Sequence, residues 1–82
     1  MTLLQAFVMA QHEYGIYGDW QALHTENALC IGRTPAGMYF AFDGSVGVIS
    51  QSDRLETALA DFAERYPVEV QDEHWKISRW DT

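Results

Sequence analysis

Cys30, His12, His24 and His74 are the residues of this chain whose types could support catalysis. A thiol beside an imidazole, with a carboxylate to orient the ring, is the arrangement of thiol catalysis. Cys30 sits in Ala28-Leu29-Cys30-Ile31, however, the surroundings of an inert packed thiol, and a place in the core is expected for it. His24 with Glu26, and Asp72-Glu73-His74, are built of metal-ligand types. Neither follows the paired cysteines or the two histidines one helical turn apart that zinc sites use, so solvated turns are expected and no metal or cofactor. Gly44-Ser45-Val46-Gly47 lacks the spacing of a nucleophile elbow, and no phosphate-binding or dinucleotide fingerprint occurs. A non-enzymatic protein is the expectation, with a small enzyme using Cys30 the least favoured reading.

Two other groups suit binding. Tyr14, Ile16, Tyr17 and Trp20 are interrupted by Gly15 and Gly18, which predicts an aromatic loop, and aromatics are the anchors that protein interfaces favour. Trp75 and Trp80 raise the same question, with Trp80 close to the end of the sequence and expected to be less buried. The second group is acidic. Asp53, Glu56, Asp61 and Glu64 fall opposite Leu55, Ala58, Leu59, Phe62, Ala63 and Tyr66 when residues 52–66 are wound as a helix. Successive carboxylates would climb about 4.5 to 7.5 Å along the axis, broadly the step between neighbouring phosphates. The competing reading of that row is an ordinary solvated helix face.

These groups need elements to hold them. Ser52 or Asp53 can cap the helix, Glu56 and Arg65 complement its dipole, Asp61 and Arg65 are spaced as an ion pair, and Pro67 ends it at Tyr66. Leu3 to Ala10 alternates well enough to be read as a central first strand, followed by a glycine-punctuated loop from His12 to Gly18. Trp20 to Thr25 fits a strand or a short helix capped by Asp19, and strand is preferred. Ala28 to Arg33 and Met38 to Phe42 flank Thr34-Pro35-Ala36-Gly37, a hairpin turn. Asp43-Gly44 makes the next turn before Val46 to Ser50, giving a three-strand meander. Val68 and Val70 suggest a short extended piece, and Trp75 and Ile77 alternate in a terminal strand.

The expected architecture is α+β: an antiparallel sheet of about four to six strands with one helix across a face, in a single domain of residues 1–82. A ferredoxin-like arrangement would need an additional helix over Asp19 to Asn27.

Charge narrows the partners. Twelve acids stand against Arg33, Arg54, Arg65, Lys76 and Arg79, a net charge of -7, which opposes direct binding to nucleic acid or anionic lipid. No apolar run approaches the roughly 20 residues that cross a bilayer. A lone cysteine favours a reducing compartment, and with no basic segment ahead of the apolar start a cytoplasmic location is expected. The functional expectation is a small acidic module that binds a protein with a basic or neutral surface. Its sharpest form is an inhibitor that mimics nucleic acid and blocks an effector of the restriction or CRISPR type. The alternative is a structural subunit that self-associates through strand edges and aromatics.

Overall fold

The computed structural model describes residues 1–79, and Trp80 lies outside them. The order is α1 (Leu3–Tyr14), β1 (Trp20–His24), β2 (Leu29–Arg33), β3 (Tyr39–Asp43), β4 (Gly47–Ser52), α2 (Leu55–Arg65), α3 (Val68–Asp72) and β5 (Trp75–Ser78). Among the described residues the five strands form one antiparallel sheet in the order β4-β3-β2-β1-β5, so the class is α+β with three helices there rather than one. The meander of β2, β3 and β4 stands where the turn chemistry placed it, and of the two readings of Trp20 to Thr25 the strand is the one that forms.

Two segments differ from expectation. Leu3 to Ala10 is helical, and the helix runs on to Tyr14 through part of the supposed loop. Apolar residues on every side satisfy a period of 2 as well as one of 3.6, so alternation could not discriminate. A capping box decides the outcome: the Thr2 hydroxyl accepts from the Gln5 amide at 3.0 Å, and the Gln5 side chain accepts from the Thr2 amide at 2.8 Å. Leu3, Ala6, Phe7 and Ala10 then share the buried stripe. Gly15, at φ 82, ends α1 with its amide bonded to the Gln11 carbonyl at 2.9 Å. The second difference is Val68–Asp72, a five-residue helix where valines suggested extended chain. Tertiary contacts override propensity there: the Trp75 indole donates to the Val70 carbonyl at 2.8 Å, and Val70 packs against the core.

α2 forms as expected but without the expected cap. Arg54 occupies the N-cap and supplies no side-chain bond, while Ser52 accepts from the Arg54 amide at 3.0 Å one step earlier. At the other end Tyr66 is extended, as the residue before Pro67 must be, and its amide bonds back to Phe62.

α1 lies over β1 and β5, and α2 lies over β3 and β4. Both cover the same face. One cross-sheet row on that face is Ile77-Ala22-Ile31-Ala41-Ser50, and Trp20, Leu29 and Trp75 join it in a single core with Phe7, Ala58 and Phe62. Phe7 meets Trp20 edge-on at 4.9 Å, and Phe62 meets Trp75 at 5.7 Å, each pair contributing about 0.5 to 1.5 kcal/mol beyond area burial. No helix among the described residues is long and apolar enough to cross a membrane.

Candidate functional site

Antiparallel register sorts the side chains into rows, because residues directly opposite one another point to the same face. On the face away from the helices one row runs Lys76-Leu23-Cys30-Phe42-Val48 and the next runs Ser78-Gln21-Gly32-Phe40-Gln51. Leu23, Cys30, Met38, Phe40, Phe42 and Val48 line a concavity of about 510 Å³ there, together with the polar Gln21, Thr34 and Gln51. Met38 is 40% exposed, Phe42 39% and Val48 56%. Lys76 is the single charged residue in the two rows, and no carboxylate enters them, although the chain carries twelve acids.

A sheet wetted on one side normally alternates apolar and polar residues. Leu29-Cys30-Ile31 and Tyr39-Phe40-Ala41-Phe42 do not alternate, and those unbroken apolar runs are the signal from which Cys30, Phe40 and Phe42 could have been found. β4 adds a register shift at Ala41/Phe42, which brings Val48 rather than Ile49 opposite Phe42.

Cys30 is buried on this face, not among the helices, and its thiol donates to the Gln21 amide oxygen at 3.4 Å. Burial pushes its pKa up to about 12, so the thiolate that catalysis requires is scarce at neutral pH. His24 lies on the other face, where it is 7% exposed, and meets Trp75 edge-on at 5.1 Å. Its Nδ1 accepts from the Asn27 amide at 3.0 Å and from the Glu26 amide at 3.3 Å, which fixes the β1–β2 turn and places the ring proton of the neutral form on Nε2. Burial, then the nearby His74, holds His24 below the usual histidine range, against the opposing pull of Glu26. His74, at φ 70, places Nε2 3.4 Å from Glu26 and 3.2 Å from Glu73. These groups brace a turn, and no cluster among the described residues is arranged to hold a metal ion.

The remaining sequence-derived residues separate. Trp20 is 1% exposed in the core, Tyr14 packs against the core from the last turn of α1, and Tyr17 alone of the three is freely exposed, at 81%. The aromatic loop is therefore not one anchor cluster. Arg33 tethers it instead, donating to the carbonyls of Tyr17 and Gly18. Asp53, just ahead of α2, and Glu56 and Glu64 on it are exposed, but Asp61 is half-buried and accepts from the buried Ser50 hydroxyl of β4 at 2.7 Å. Asp61 thus joins α2 to the sheet, and the row of four carboxylates is broken. Glu56 also has Arg54 3.9 Å away. Trp75 is buried, and Tyr66 donates to Asp43, a bond that with the Ser45 amide holds the Asp43 carboxyl below its ordinary range.

No protein-family model, curated protein or solved structure matches this chain.

Proposed function

We propose that this chain is a non-enzymatic protein-binding module whose docking surface is the helix-free face of the sheet. The observation that carries the reading is the apolar, carboxylate-free concavity around Leu23, Cys30, Phe42 and Val48 in a protein of net charge -7. Met38, Phe42 and Val48 present apolar surface that a partner would remove from water at about 25 cal/mol per Å². A hollow calls for a convex occupant, so the partner chemistry that fits is a protruding apolar side chain on a helix or loop. A second copy would meet hollow with hollow. Basic or neutral groups around that anchor suit the surrounding field, since Asp53, Glu56 and Glu64 on the far layer would speed the approach of a cation and repel an acid. The nucleic-acid-mimic form of the reading has weaker support, because Asp61 is engaged by Ser50.

The test compares retention of partners from extracts of the native cell by the parent chain, by Phe42→Lys/Val48→Lys and by Glu56→Lys/Glu64→Lys. A partner kept by the helix variant at moderate salt and lost by the sheet variant is expected. Retention by the sheet variant, or loss on the helix variant alone, would transfer the docking surface to α2 and revive the mimic.

A further inference from the structure

α1 is apolar on both sides, yet only one side meets the sheet. Leu3, Ala6, Phe7 and Ala10 are buried, while Leu4 is 68% exposed, Val8 62% and Met9 43%. A helix apolar all round is ordinarily covered all round. Leu4, Val8 and His12 form one ridge at i, i+4 spacing, and Gln5, Met9 and Glu13 form the next. The groove between them runs along Leu4, Gln5, Val8, Met9 and His12.

We infer that this face pairs with the α1 of a second copy, antiparallel about a two-fold axis near Val8. Three features select that occupant. Residues 2–12 contain no Asp, Glu, Lys or Arg, so two chains of net charge -7 can approach along this surface without opposing like charges at close range. A ridge beside its own groove is self-complementary, as an isologous interface requires. Antiparallel pairing also sets Glu13, at the end of one helix, toward the amino-terminal turn of the other, where the helix dipole favours a carboxylate. The helix is about 18 Å long, so the seam is short and the pairing is expected to be concentration-dependent. This inference does not rest on the sheet-face reading, since the two surfaces belong to different layers.

Sedimentation velocity on the parent chain from low micromolar to submillimolar concentration tests it. The mass is expected to rise from one chain to two across that range. Val8→Glu should weaken the association at least a hundredfold with far-UV circular dichroism and melting temperature retained, and Leu4→Gln provides a milder variant should Val8→Glu fail to fold. Phe42→Lys/Val48→Lys should dimerise as the parent does. A parent chain that stays monomeric throughout, a Val8→Glu protein that dimerises normally, or dimerisation lost only in the sheet variant would each overturn the pairing.

Discussion

The two faces of the sheet are made from alternate residues of the same five strands, and both are rich in apolar side chains, yet their fates differ. On one face Trp20, Ile31, Ala41 and Trp75 are shut away beneath α1 and α2. On the other, Phe42 and Val48 remain in contact with water. Apolar composition created the demand for cover twice, and the chain supplies helices for one side. The comparison shows that a strand pattern reports how much burial a face invites, whereas the cover it receives depends on where the helices go. The unmet demand is what motivates the proposal that the second face docks a partner.

Four measurements break or sharpen that contrast. Phe62→Ala, in the covered face, is expected to lose about 3 to 5 kcal/mol in denaturant unfolding, while Phe42→Ala loses well under half as much; equal losses would mean the open face is structurally core. Removing the strut that joins the covered face to α2, by Ser50→Ala or Asp61→Ala, should cost about 1 to 3 kcal/mol, because a part-buried carboxylate or a buried hydroxyl loses its partner. Acidification is the third.

His24 is held below its ordinary value of 6.5 in the folded protein, so below that pH the unfolded chain takes up a proton that the native ring resists. Its contribution is therefore present above about pH 6.5 and is lost as the pH falls below it. The melting temperature should drop from pH 7 to pH 5, and less so in His24→Gln; an identical slope in both would deny the ring this role. The smallest effect belongs to the open face. Val48→Lys should shift stability by no more than about 0.5 kcal/mol, yet reduce binding of a hydrophobic dye. A large destabilisation there would show that Val48 is already packed.

Local chemistry makes the meander readable from the sequence. Thr34-Pro35-Ala36-Gly37 and Asp43-Gly44 turn the chain, Pro67 stops α2, and the stripe through Ala58 and Phe62 meets the sheet as its spacing implied. These features act within a few residues, so sequence neighbours contain the whole cause. Alternation points to a strand over residues 3–10 because the apolar residues of α1 occupy every side and fit either period; the Thr2–Gln5 box settles the segment as a helix.

What the amino-acid order determined by itself is therefore the turns, the helix stop, the acidity and the absence of paired cysteines or phosphate-loop spacing. Tertiary structure alone decided that Trp20 is core and Tyr17 is surface, that Asp61 braces Ser50 instead of extending an acidic row, and which sheet face the helices leave uncovered. The physical reason is range. Turn dihedrals and caps are set by adjacent groups, but the exposure of a side chain depends on what arrives from residues far along the chain, and sequence spacing does not contain that distance.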